Sequence, residues 1–327
     1  MTRSTFRMSL LAMVLAVAGG FAAAPASAIQ IGISEQNGQM FYDPLFAPLH
    51  IHYARLVVPW NLALSSSKVA RPYLQWLAGA QLTGVEPHVA FNAVGYKRNP
   101  KGPTPAQYAK AVATFHHRWP AVHVFSAWNE ENHYIQPTAK NPKLAATYYK
   151  ILRRVCPTCQ VVAADMLDDA NLARWLKQFL KYTHGSPRLW GLHNYQDVNH
   201  HRKLSKSWTL RLTRMVKGTI WSTEAGGIVS FRAPSGKTVY PYDTKRAAAN
   251  LKYLLALMAN PLVRSRYQRT YIYNFYGTWD GKPKDKPTNR WDSGLVGING
   301  KPRPAYAILQ HATSLALKGP PRRRRKR

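Results

Sequence analysis

The sequence predicts an α/β chain wound as a (β/α)8 TIM barrel, on three observations. Short apolar runs recur eight times with helix-patterned stretches between them, the mark of βαβ units rather than of a sandwich. Once an N-terminal leader is set aside, roughly 300 residues remain, and one such barrel with its loops takes about 250. The distinctive polar residues gather at the C-terminal ends of the runs, the face on which barrels of this kind build their sites.

In chain order the expected strands are 30–34, 52–58, 86–91, 123–128, 160–165, 190–195, 219–224 and 269–275. The clearest expected helix, 105–119, has Thr104 as N-cap and Pro105 at its first position, where a missing N–H costs nothing. Further helical patterns cover 144–154, 171–182, 243–258 and 304–317, while the connection between the first two strands has the least helical period. A stretch rich in Pro, Lys and Gly, 281–289, follows the eighth strand, where a barrel carries site loops. Neither an internal repeat nor a dividing linker is visible, so 29–318 reads as one domain.

Residues 1–28 read as a secretory signal peptide: Arg3 and Arg7, an apolar run over 8–24, and the small-residue cleavage pattern Ala26-Ser27-Ala28. Gly19, Gly20 and Pro25 argue against an uncleaved membrane anchor. Export favours a short disulfide between Cys156 and Cys159, the only cysteines; a redox pair would need a helix N-terminus, and these follow a helix. The 46 Lys and Arg against 14 Asp and Glu give a net charge of +32, which attracts polyanions. The basic end 319–327 reads as a disordered, solvated tail; for an exported monomer, anionic cell-wall polymer is a better partner than nucleic acid.

In a chain so poor in acid, two glutamates stand out. Glu130 closes the apolar run 122–129 and Glu224 closes 219–223. Paired carboxylates at strand ends point first to sugar chemistry, with one group protonating a leaving oxygen while the other attacks. Arg55 lies on the second strand, His193 and Tyr195 end the sixth, and Trp60, Trp128 and Trp279 fall at strand ends as candidate sugar-stacking walls. Trp279 is preferred to Tyr276 as the platform after the eighth strand, Asn92 is a weaker polar candidate after the third, and Trp221 reads as core. Glu131 is assigned to the loop or to structure supporting the site, because neighbouring side chains at a strand end diverge. Asp165, Asp168 and Asp169 read as a capping run ahead of Asn171; His193 also fits a satisfied core histidine and His200 and His201 fit solvent-exposed ones, and a metal site built from them would need a further ligand at fixed geometry. No metal and no cofactor is expected.

The arrangement resembles the retaining glycoside hydrolases of clan A over essentially the whole of 29–318. The likeness is carried by Asn129-Glu130 ending strand 4, Glu224 ending strand 7, Arg55, the His193-x-Tyr195 pair and the closing pattern 294–306. It implies that Glu130 is the general acid/base, Glu224 the nucleophile and Asn129 the partner of a sugar 2-hydroxyl, with Arg55 and Tyr195 holding the nucleophile. A cation beside Glu224 favours its ionised form, so the raised pKa is expected on Glu130. The implied activity is cleavage of β-linked oligosaccharides or polysaccharides by a secreted enzyme, near the β-xylosidase-like and β-glucanase-like families. The alternative is a noncatalytic, cell-wall or polysaccharide-binding barrel anchored by its basic tail.

Overall fold

The structure, a computed structural model, describes residues 29–95, 101–281 and 290–318. The leader, the basic tail and most of the loop after the eighth strand lie outside the described residues. Nine strands form one parallel sheet: β1 (Gln30–Ser34), β2 (Tyr53–Pro59), β3 (Glu86–Asn92), β4 (Val124–Ser126), β5 (Gln160–Val162), β6 (Asp165–Leu167), β7 (Leu189–His193), β8 (Thr219–Ala225) and β11 (Tyr267–Tyr273). A separate antiparallel ribbon contains β9 (Ser230–Arg232), β10 (Thr238–Tyr240) and β12 (Trp291–Asp292).

All eight expected strands are present. The fifth is broken in two: 160–162 pairs with β4 and 165–167 pairs with β7, with Ala163 and Ala164 between them bonded to the β7 strand. Nine hydrogen-bonded segments therefore occupy eight barrel positions. The break turns Asp165 inward, which decides its role below.

Helices α1 (Ser67–Leu82), α2 (Pro105–Arg118), α3 (Pro142–Val155), α4 (Leu172–Thr183), α5 (Tyr195–Asn199), α6 (Trp208–Met215), α7 (Thr244–Ala259), α8 (Pro261–Arg264) and α9 (Pro304–Lys318) fill the connections. Between β1 and β2 the chain makes only 3-10 turns, as the weak periodicity there implied. Helix α2 starts with a full capping box: Thr104 Oγ1 accepts from Gln107 N, and Gln107 Oε1 accepts from Thr104 N. In α3 and α4 the apolar residues form one stripe, which buries Tyr148 against Tyr108 of α2 and Phe179 against Trp190 of β7. Cys156 and Cys159 form the expected disulfide just past α3.

Inside the barrel the two ends differ in chemistry. At the N-terminal end Val124, Val162, Trp221 and Tyr271 form a small apolar cluster, with the Arg269 guanidinium 3.8 Å from the Tyr53 ring centre and 4.2 Å from that of Trp221. Trp221 is thus core, as expected. At the C-terminal end the interior is lined by Arg55, His88, Ser126, Asp165 and His193, all fully buried. The 294–306 segment is closed by Arg303, which grips Asp292 at 2.7 and 2.9 Å, while Asp292 also accepts from the N–H groups of Thr278 and Trp279.

Candidate active site

Period-two alternation aims Arg55 of β2 and Ser126 of β4 into the barrel, and it ends where β4 ends. Beyond Ser126 the chain turns sharply: Asn129 N–H bonds Phe91 O at 2.7 Å, and Glu130 takes a left-handed conformation with φ 52°. A non-glycine residue in that region is held there by its surroundings, and such positions collect at functional sites. The turn sends successive side chains different ways. Glu130 keeps 20 % exposure in the mouth, whereas Glu131 is buried and accepts the Asp165 N–H at 2.5 Å. Burial pushes the Glu131 carboxyl well up, so it is a neutral structural acid.

Arg55 organises the site. Its Nη1 donates to Glu224 Oε2 at 2.8 Å and to Ser34 Oγ at 3.3 Å, and its Nη2 donates to Asp165 Oδ2 at 2.7 Å and Asn129 Oδ1 at 2.6 Å. Burial disfavours this cation, but the charges of Asp165 and Glu224 outweigh that and raise its pKa, keeping it charged. Tyr195 Oη donates to the other Glu224 oxygen at 3.0 Å, and burial holds the phenol well up and neutral. Both oxygens of Glu224 are therefore fixed while its side chain stays 12 % exposed.

His193 is the second organiser. Nε2 lies 3.1 Å from Asp165 Oδ1, and Nδ1 lies 3.3 Å from Glu130 Oε1. Burial disfavours the imidazolium, yet Asp165 and Glu224 outweigh it and push the ring up to about 10. A charged ring donates from both nitrogens, so the 3.4 Å approach of Arg55 Nη2 to Nε2 is a close contact of two donors and not a hydrogen bond.

Three expectations are corrected. Asp165 is no helix cap: it accepts from Arg55, Ser126 Oγ and Thr223 Oγ1 and pairs with His193. Although burial opposes its charge, Arg55 and His193 hold it far below the usual carboxylate range. Asp168 caps α5 by accepting from Gln196 and Asp197 N–H, and Asp169 alone serves the turn before α4. Trp128 is no sugar wall: it is fully buried, stacks on Tyr148 and donates to Gln136 Oε1. Asn92 accepts from that same Gln136 and is likewise supporting structure. Finally, Glu130 does not carry a raised pKa in the resting site. Burial raises it, but the hydrogen bond and charge of His193, with His133 at 3.5 Å, prevail and lower it. The cation that lowers it is His193, which sequence spacing alone cannot place beside Glu130.

Trp60 and Trp279 are partly exposed above the strands, and Tyr276 is engaged through its hydroxyl with Asp43. Sequence reasoning missed Trp291, whose ring packs edge-on against Tyr195 with centres 4.9 Å apart, and Gly191 of β7. A Cβ on Gly191 would sit 2.3 Å from Asp165 Oδ1, so only glycine leaves room for that carboxylate. A hint for Gly191 was available, since an isolated glycine inside a strand often marks close approach.

Carboxylate oxygens of Glu130 and Glu224 and a ring nitrogen of His193 lie within 4.8 Å of one another. This trio has the spacing of a metal site, but an imidazolium with both N–H groups engaged offers no lone pair. A second group, His116 with Cys156 and Cys159, lies where α2 and α3 end and is likewise closed to metal, because its thiols are joined in the disulfide.

Neither a family profile nor a curated protein matches the chain at the level of sequence. Solved structures do match in shape. A family 39 glycoside hydrolase from Bacteroides cellulosilyticus WH2 is similar with a TM-score of 0.62 at 16 % identity over 90 % of this chain; the chain spans 65 % of that protein's length. Xylanase 10B from Thermotoga petrophila RKU-1, solved with xylobiose, gives 0.61 at 13 % identity over 88 % of this chain and 94 % of its own. GH5_18 from Streptomyces cattleya, solved with GlcNAc, gives 0.62 at 14 % identity, covering 91 % and 82 %. At such identities the likeness establishes the (β/α)8 fold.

Proposed function

We propose that the chain is a clan A glycoside hydrolase that cleaves β-linked oligosaccharides or polysaccharides with retention, through a glycosyl ester on Glu224. The observation that carries this reading is the carboxylate pair of Glu130, in the turn after β4, and Glu224, near the end of β8, with oxygens within 4.8 Å. Retaining enzymes hold their carboxyl groups about 5–5.5 Å apart and inverting ones about 6.5–9.5 Å, the wider gap making room for a water. Shape similarity to glycoside hydrolases supports the same reading. The leader read over 1–28 supports export, and the basic tail supports retention on anionic wall material.

The chemistry follows from the charges. Arg55 and Tyr195 fix Glu224 so that one oxygen can reach an anomeric carbon, and Asn129, its carbonyl engaged by Arg55, keeps its NH2 for a sugar hydroxyl. Glu130 and His193 share one titrating proton between Oε1 and Nδ1. A bound sugar removes water from the exposed part of Glu130, which favours its neutral form and moves that proton onto it. Glu130 then protonates the departing oxygen as Glu224 bonds to carbon, and afterwards takes a proton from the water that cleaves the ester.

Azide rescue with product stereochemistry read by NMR tests the roles. Glu224→Gly should abolish turnover of aryl β-glycosides, and azide should restore it as a glycosyl azide of inverted configuration. Glu130→Ala should spare activated aryl leaving groups, cripple sugar leaving groups and yield the retained azide. Near-normal turnover in both variants, or the opposite stereochemistry in each, would end this assignment.

A further inference from the structure

We infer that the cavity between the β9–β10–β12 ribbon and the chain leaving β11 is a subsite for a sugar residue bearing a negative charge. The inference builds on the glycosidase reading, for it takes the occupant to be part of the same glycan that crosses the carboxylate pair. The cavity holds about 190 Å³ and is lined by Arg232, Arg290, Tyr240, Tyr242 and Trp279. Pockets for drug-sized ligands run about 300–1,000 Å³, so this one suits a single ring.

Its walls combine two kinds of recognition. Trp279 and Tyr242 meet edge to face with centres 5.4 Å apart, and the Arg232 guanidinium lies 5.9 Å from the Trp279 ring centre, so aromatic and cationic groups share one wall. Arg232 and Arg290 are set side by side by the ribbon, because Arg232 N–H donates to Arg290 O at 2.9 Å. The arginine–carboxylate pairs nearby are Arg246 with Asp243 and Arg303 with Asp292; among the described residues no carboxylate engages Arg232 or Arg290. Two adjacent cations with no carboxylate partner among the described residues repel, and an anion between them relieves that repulsion.

The position ties the cavity to the chemistry. The ribbon begins five residues after Ala225, at the end of the strand that carries Glu224. Trp291 of β12 packs against Phe231 at 5.1 Å and against Tyr195 at 4.9 Å, and Tyr195 holds Glu224. A glycan bound at Glu224 and Glu130 can therefore lay a neighbouring residue against the ribbon. The net charge of +32 draws polyanions in general, whereas the arginine pair beside an aromatic wall selects a charged ring.

Binding to the Glu224→Gln variant, which removes turnover, is the test. Calorimetry at about 0.15 M salt would compare neutral β-1,4-xylotetraose and cellotetraose with their uronate-bearing and sulfated forms. Either or both acidic forms should bind about tenfold tighter than the neutral ones, the worth of one charge-assisted contact, and the two arms identify which anion is preferred. Adding Arg232→Gln and Arg290→Gln should bring the ratio close to one, while Arg232→Lys keeps part of it. Should the double variant unfold, the single variants read the same ratio. Equal binding of neutral and acidic forms, no binding of any form, or a preference that survives the double variant would overturn the subsite. Failure to hydrolyse any glycoside would instead overturn the hydrolase reading, and the binding ratio would still decide the subsite.

Discussion

Arg55 and Arg269 are both buried inside the barrel, one at each end, and they are satisfied in different ways. Arg55 sits among carboxylates, bonded to Asp165 and Glu224 and to Asn129. Arg269 sits among rings, over Tyr53 and Trp221, with one carboxylate, Glu86, that is 43 % exposed. The first arrangement costs desolvation of three ionised groups and returns fixed directions for Glu224 and Asn129. The second returns packing. A fold needs only the latter kind of arginine, so the charged network at the C-terminal end is evidence of chemistry rather than of stability.

Removing Arg55 should break the comparison most severely. Arg55→Met leaves Asp165 to His193 and Glu224 to Tyr195, and breaking buried ion pairs by removing one partner costs about 3–5 kcal/mol. Turnover should fall by about 10²–10³-fold or more, since Glu224, the proposed nucleophile, loses its positioning donor. A variant with melting temperature and kcat near wild type would refute the organising role.

Asp165→Asn should come next, and it can be read by pH. The His193 pKa is raised to about 10 in the fold, from about 6.5 when unfolded, so its contribution is complete below about 6.5 and lost as pH rises through 10. The depressed Asp165 pKa works the other way: its contribution is present above about 3.9 and lost as pH falls through its folded value. Denaturant melts between pH 6 and 11 should show a wild-type decline that the Asn variant flattens. An unchanged slope would mean that Asp165 does not hold the imidazolium.

Arg269→Leu should have the smallest effect, about 1–2 kcal/mol from lost cation–π and packing contacts, with kcat unchanged on aryl glycosides. Glu86 faces water and can be left without its partner at little cost. A kcat loss comparable to that of the Arg55 variant would show that the two ends are coupled, and the contrast between them would fall.

Much of this was legible from residue order. The capping box at Thr104, the apolar stripes of α3 and α4, and the apolar runs that lead to Glu130 and Glu224 are local patterns, set by backbone periodicity and capping chemistry within a few residues. Arg55 and Tyr195 were placed by resemblance and indeed meet on Glu224. Asp165 was misread because its local surroundings, acids ahead of a helix, look like a cap, and only the break at Ala163 and Ala164 turns it to Arg55. Trp128 was misread because a strand-end tryptophan has the same sequence whether it faces the mouth or α3.

Alone, then, the sequence determined the eight-unit barrel and which two carboxylates close its fourth and seventh strands, because alternation and strand ends are properties of neighbouring residues. Tertiary structure decided the protonation of the site. The charge on His193, the lowered carboxyl of Glu130 and the anchoring of Asp165 depend on distances between residues up to 110 positions apart, and electrostatic energy in a buried site depends on those distances and not on sequence separation.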